Sequence, residues 1–274
     1  MGNIVTTLLI VLIAGIPTLL LVRYFQKKRE RLKLLNTPLN PELEAILLKN
    51  VPPYQRLSDK MKKELQGLIN IFLYEKEFEG CGGLELTDEI RITIAGEACL
   101  LLLNRNLTDC FPDLQTILVY PTAYVATGAE IIGGRRVENS VTARAGESWQ
   151  NGAVVLAWDH IKHGAINCDD GHNVVLHEFG HQLDQESGTA NGAPPLKTYH
   201  TWAQVMGNNF NKLCEKVEEN RKDVIDSYGA TNPAEFFAVT TETFFEKPEK
   251  LKKEHPKLFQ QLLKYYQVNP IDWK

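Results

Sequence analysis

The chain has 274 residues, 43% of them hydrophobic and 23% charged, with a formal net charge of −4. That length buries a sizeable core without staples, and five dispersed cysteines with no CxxC pair exclude a disulfide framework and a cysteine-rich zinc site, which points to a reducing compartment. Residues 1–34 hold six Lys/Arg and one acid, net +5, which leaves −9 of the total −4 for residues 35–274; such an acidic body would repel a phosphate backbone, so no nucleic-acid partner is expected.

In chain order, Ile4 to Val22 comes first, 19 residues without a charge. As a helix rising about 1.5 Å per residue it would match the hydrocarbon thickness of a bilayer, and Pro17 is tolerable there. Arg23, Lys27, Lys28, Arg29, Arg31 and Lys33 follow on one flank, whereas the other flank carries none. A retained N-terminal transmembrane helix is expected. The positive-inside rule then places the N-terminus outside and the rest in the cytoplasm, a single-pass protein of the inner (cell) membrane. A cleaved signal peptide fits less well, since the n-region lacks Lys and Arg and no A-x-A site follows.

Residues 35–57 are proline-punctuated and read as a linker with a short helix, Pro41–Leu48. An amphipathic helix is expected from Ser58 through "DKMKKELQGLINIFLYEKEFE", with Leu65, Leu68, Ile69, Phe72 and Leu73 as its core stripe, until "GCGG" at 80–83 breaks it. Thr87 starts a second helix whose continuous apolar character implies full burial. "QTILVY" (115–120) and "GAVVLAW" (152–158) read as strands, with glycine-rich hairpins between them. After Asp170 the chain is expected to be helical, with breaks near 188–195 and 229–233. The predicted architecture is α+β, mainly helical with a small mixed β-sheet; a domain of residues 58–274 follows the anchor (1–34) and linker (35–57). "NLT" at Asn106 fits a glycosylation sequon that a cytoplasmic domain would never present.

"VVLHEFGHQLDQESG" (174–188) carries the chemistry. His177 and His181 are four apart, so on a helix they share a face and can reach one Zn²⁺ at about 2.0–2.1 Å. Glu178 lies one step round from His177, beside the metal, where its carboxylate can act as general base toward a water. A catalytic zinc wants a third protein ligand. Asp184 shares the histidine face but, being short and a turn further on, suits orienting His181 or the helix, or simply the surface. The better source is "TNPAEFFAVTTETFFEKP". There Asn232 reads as N-cap and Pro233 as first helical residue, while Glu235 and Glu242 stand seven apart on one face of an otherwise apolar helix. Buried carboxylates need a partner, and a metal or a metal-bound histidine suffices. Glu235 is favoured as ligand and Glu242 as the group behind it; the swapped assignment and a plain Asn232–Glu235 capping box stay open. His160, His163, His172, His200 and His255 have no partner at ligand spacing on one helix; His172 could line the cleft but suits the surface better.

At these residues the sequence resembles the MtfA-like family of zinc-dependent peptidases, also called DgsA anti-repressor proteins. The likeness runs from about Pro52 to the C-terminus. It covers "GGLELTDEIRITIAGEACLLLL", "VVLAWD", "GHNVVLHEFGHQLD", "YGATNPAEFFAVTTETFF" and "HPKLFQQLLKYYQVNP". The resemblance implies a zincin-like metallopeptidase core with a gluzincin-type site: His177, His181 and Glu235 as metal ligands, Glu178 as catalytic carboxylate and Zn²⁺ as cofactor. It also implies that Tyr228 donates its phenol to a developing oxyanion. Trp149 to Asp159 resembles the family's strand beside the zinc helix, whose exposed edge could hold an extended peptide. The expected activity is hydrolysis of a peptide or protein substrate, with exo- or endopeptidase cleavage open, aminopeptidase action included. A zinc-stabilised module that sequesters a regulatory protein partner at the membrane is the alternative, and a zinc hydrolase of non-peptide amides a third reading. The expected N-terminal span sets this chain apart from the family's soluble members.

Overall fold

The computed structural model describes residues 2–105, 109–132, 135–144, 146–149 and 152–273; Asn106 lies outside the described residues. Four helices lead in: α1 (Gly2–Leu35), α2 (Pro41–Asn50), α3 (Pro52–Arg56) and α4 (Asp59–Glu75). Then come β1 (Glu77–Gly80), α5 (Asp88–Leu100), β2 (Thr116–Tyr120), the pair β3 (Tyr124–Ile132) and β4 (Arg135–Arg144), β5 (Gly146–Trp149) and β6 (Ala153–Ala157). The remainder is helical: α6 (Trp158–Ile166), α7 (Val174–Gln185), α8 (His200–Glu218), α9 (Pro233–Glu246), α10 (Pro248–Glu254) and α11 (Pro256–Tyr266), with a 3-10 turn at Ser227–Ala230 before α9.

The main sheet runs β1-β2-β6-β5. β1, β2 and β6 are parallel, and β5 joins antiparallel to β6, with Gly146 opposite Leu156. Val154, Val155, Leu156 and Ala157 are all buried, the continuous apolar run expected of a strand covered on both faces. β3 and β4 form a separate antiparallel pair. A mainly helical body around a small mixed sheet is consistent with a zincin-like core. Two local expectations change. The helix begun at Ser58 stops at Glu75, because Glu77–Gly80 pair with Thr116–Val119 as a parallel strand instead of extending the helix. Within 149–159, β6 is an interior strand, so the sheet edge on that side is β5.

Side-chain capping sets the helix starts where the sequence placed them. Ser58 accepts from the Met61 amide, Thr87 from Ile90, and Asn232 from Ala234 and Glu235. The core gathers Leu65, Leu68 and Phe72 of α4, Ile92 and Ile94 of α5, Phe179 of α7, and Phe236, Phe237 and Phe244 of α9. Residues 35–57 contribute as well: Leu39, Leu47, Val51, Tyr54 and Leu57 are buried in it.

The N-terminal expectation is corrected. Among the described residues no helix is long and apolar enough to cross a membrane, which overturns the transmembrane span and the single-pass inner-membrane placement with it. The physical reason is continuity. α1 does not end where the charges begin; it runs on through Arg23–Lys33 and docks on α4. Arg31 grips Glu75 bidentately, Nε to Oε1 at 2.6 Å and Nη2 to Oε2 at 2.9 Å, and also meets Asp109. The cations expected to flank a bilayer are thus partly spent on holding a helix pair together.

The pair approaches closely at Gly67, where an added Cβ would lie 2.3 Å from the carbonyl oxygen of Leu35. Helix propensity alone would make Gly67→Ala stabilising by about 1 kcal/mol. The contact reverses the sign: we expect urea unfolding to show a loss of about 1–3 kcal/mol. A more stable variant would mean that α1 does not lie on α4 in solution.

Candidate metal centre

The site is built on the crossing of α7 and α9. Asn173 starts α7 by accepting the Leu176 amide at 3.0 Å, and Asn232 with Pro233 starts α9. At the crossing Gly180 faces Ala238 and Thr241, and small groups there let the helices approach. One face of each helix then meets the other.

Three electron-rich atoms converge between them. His177 Nε2 lies 3.1 Å from Glu235 Oε2, His181 Nε2 lies 3.3 Å from the same oxygen, and the two Nε2 atoms are 3.2 Å apart. Ligands on a tetrahedral zinc with bonds of about 2.0–2.1 Å sit about 3.3–3.4 Å from one another, so the triangle has the dimensions of one face of that tetrahedron. The chemistry also fits a cation. His177 Nδ1 is 2.7 Å from Glu242 Oε1. A neutral ring donating there directs the bare lone pair of Nε2 at a carboxylate and at a second imidazole. Burial disfavours charge on His177, yet Glu235 and Glu242 outweigh it and hold its pKa well above the ordinary imidazole value. Burial likewise opposes charge on Glu235, but His177 and His181 pull its pKa down to about 2.

Glu242 binds the opposite ring nitrogen from the triangle, and its other oxygen accepts the Asn173 amide at 2.6 Å. It orients His177 and ties down the start of α7, and the swapped assignment with Glu235 has no geometric support. The Glu235 side chain turns to the histidines, while its amide completes the Asn232 cap, so only half of a capping box forms.

Glu178 is 5% exposed, and its Oε2 has no hydrogen-bond partner among the described residues. Burial raises its pKa. Tyr228 stands in the 3-10 turn before α9, more than half exposed, its ring centroid 6.0 Å from that of His177. Asp184 is fully buried rather than on the surface. Its Oδ2 accepts the Gly192 amide at 2.7 Å, Trp202 Nε1 donates to the Gly192 carbonyl at 2.9 Å, and an added Cβ on Gly192 would sit 2.4 Å from the Pro233 oxygen. Asp184 therefore braces the loop against the first turn of α9. His172 is exposed, 4.0 Å from Asp226. His255 is buried between Asn209 and Asp223. Asp223 and His255 form a second possible metal group with Glu254, but Asp223 is already neutralised by Lys216 Nζ at 2.5 Å.

Sequence reasoning missed Asn173, Glu97 and Glu246. Asn173 Nδ2 donates to Glu97 Oε1 at 3.2 Å, and Glu246 Oε2 accepts the Gly171 amide at 2.8 Å, so both carboxyls hold the loop that feeds α7. The signal was there: Glu97 is a lone acid inside "IAGEACLLLL", as Glu235 and Glu242 are in their own apolar helix.

The chain matches the family model described as glucose-regulated metallo-peptidase M90 over residues 24–267. It belongs to the M90 metallopeptidase family. It is 44% identical to an uncharacterized protein of Synechocystis sp. over 243 residues, 87% of this chain and 88% of the other. To Mlc titration factor A of Klebsiella pneumoniae it is 32% identical over 226 residues, and to that of Escherichia coli O1:K1 31% over 228, each alignment spanning 81% of this chain and 84% of the relative. For an M90 member a metal is implied, and the His177–His181–Glu235 triangle supplies a donor set that fits one.

Burial pushes Glu97 and Glu246 each up to about 8. Both lie above the ordinary carboxylate range, so the folded state keeps protons that the unfolded chain releases. Their contribution is complete below about pH 4.5 and is lost as pH rises toward 8. Thermal unfolding of the metal-free protein should show a midpoint falling from pH 5 to pH 8, with a shallower fall in Glu97→Gln, which still accepts from Asn173. Equal slopes in both proteins would show that Glu97 is ionised in the fold.

Proposed function

We propose that this chain is a zinc-dependent peptidase in which His177, His181 and Glu235 hold the ion, Glu178 is the general base and Tyr228 assists at the carbonyl oxygen. The observation that carries the reading is the triangle of three ligand atoms 3.1–3.3 Å apart with a buried, partly unbonded carboxylate next to it on the same helix. A zinc ion there would supply Lewis acidity, making water a nucleophile near neutral pH. Glu178 takes the proton from the attacking water and passes it to the leaving nitrogen, and its burial favours the protonated form it holds between the two transfers. Glu242 keeps His177 in the tautomer that leaves Nε2 free to bind. The Tyr228 ring lies 6.0 Å from that of His177, which supports a role for its phenol as donor to the oxygen that gains charge. β5 is one of the two edge strands of the sheet and packs beside α7, so an extended peptide pairing with it would run past the site.

The name of the Klebsiella and Escherichia relatives favours a second reading, binding of a regulatory protein, with the metal serving the fold. Two measurements separate them. Glu178→Gln should retain stoichiometric zinc and lose peptide turnover by about 10²–10⁴-fold. Chelation should abolish turnover, and zinc restore it, at an unchanged circular dichroism spectrum. Normal cleavage by Glu178→Gln would refute the base assignment, and unfolding on chelation would favour the binding module.

A further inference from the structure

Gly146 opens β5, and its backbone lies directly on the catalytic helix. A Cβ placed on it would fall 2.5 Å from Glu178 Oε1, 2.7 Å from Glu178 Cγ and 2.8 Å from Val174 Cγ2. Ordinary carbon contacts optimise near 3.5–4.0 Å, roughly an ångström further out. Gly146 is not among the glycines with positive φ, so the usual conformational reason for a glycine does not apply. What the position needs is the absence of a side chain. A glycine within a strand marks a place where another group approaches the backbone closely, and here that group is the Glu178 carboxylate.

Neither element is free to retreat. β5 is paired to β6 from Gly146↔Leu156 to Trp149↔Ala153. α7 is pinned at its start by the Asn173 cap and by Glu242, and along its length by Phe179, packed against Phe72 and Phe111. The strand therefore closes one side of a carboxylate whose Oε2 has no hydrogen-bond partner among the described residues. We propose that Gly146 is a positioning residue for the reaction: its missing side chain lets the edge strand press on Glu178 and fix where that carboxylate stands. The assignment rests on the peptidase reading above. Packing against Val174 alone is the competing explanation, and it predicts different results.

The test compares Val174→Ala with Gly146→Ala/Val174→Ala, because Val174→Ala removes one of the two close approaches and leaves the one to Glu178. The double variant should fold, bind one zinc with unchanged affinity, keep KM within about twofold and lose about 10²-fold in kcat, the scale of an ångström-sized misplacement. A crystal structure of its zinc-loaded form should show the Glu178 carboxylate displaced by about 1 Å. Adding Glu178→Gln to the double variant should cost nothing beyond Glu178→Gln alone, since both changes act through one group. Wild-type kcat in the double variant, or a Glu178 carboxylate that has not moved, overturns the proposal. Should Glu178→Gln itself cleave peptides normally, the base assignment on which the proposal rests fails, while the crystallographic displacement still decides whether Gly146 sets the carboxylate.

Discussion

Two carboxylates of α9 reach opposite nitrogens of one imidazole on α7, Glu235 at Nε2 and Glu242 at Nδ1, and the rest of the site depends on that double grip. It requires the two glutamates to share a face, which their seven-residue spacing provides, and it requires α7 and α9 to cross closely. It also requires the ring to be held out of water, where each contact gains strength and an unmatched charge becomes expensive. Glu242 meets that last demand on one side by also taking the Asn173 amide, so one carboxylate both orients His177 and anchors the residue that caps its helix.

Around this pair lies a buried acidic layer that an ordinary core would not tolerate. Glu97, Glu178, Glu242 and Glu246 are all buried, and Asp184 is completely so. Their roles differ. Glu246 and Asp184 accept backbone amides and hold loops, and Glu97 holds the Asn173 side chain. Glu178, like Glu97 and Asp184, has one buried oxygen without a hydrogen-bond partner among the described residues, and it stands next to His177 in the chain. Burial raises the pKa of Glu97, Glu178, Asp184 and Glu246, whereas Glu235 goes the other way because two imidazoles face it. That contrast between neighbours is what a divided set of acid–base and ligand roles needs.

Much of this was legible in the residues themselves. The four-residue histidine spacing and the acid-bearing apolar helix identified which side chains meet, since both periodicities are local and backbone geometry converts them directly into faces. What was not legible depended on partners far along the chain. The switch from helix to strand at Glu77 is set by pairing with residues near 116, and no window around Glu77 contains that information. Asp184 read as orienting His181 or the helix, with the surface as the alternative, and its actual partner went unseen because Gly192 is a loop amide with no sequence signature. The charge-free run at 4–22 met the composition rule for a span, but composition does not register that Lys27 and Arg31 after it are paired with Glu75, and Arg31 with Asp109 as well.

Gly192 joins three parts of the molecule through main-chain atoms: its N–H goes to the end of α7, its C=O to Trp202 of α8, and its α-carbon abuts Pro233 at the mouth of α9. A φ of +76° makes the arrangement accessible to glycine with little penalty. Local opening in proteins proceeds in cooperative blocks rather than residue by residue. With one peptide unit shared in this way, the 188–199 loop cannot fray alone. Opening at Gly192 has to break its bonds to Asp184 at the end of α7 and to Trp202 of α8 together, so a stretch that would otherwise exchange its amides quickly shares the protection of those helices.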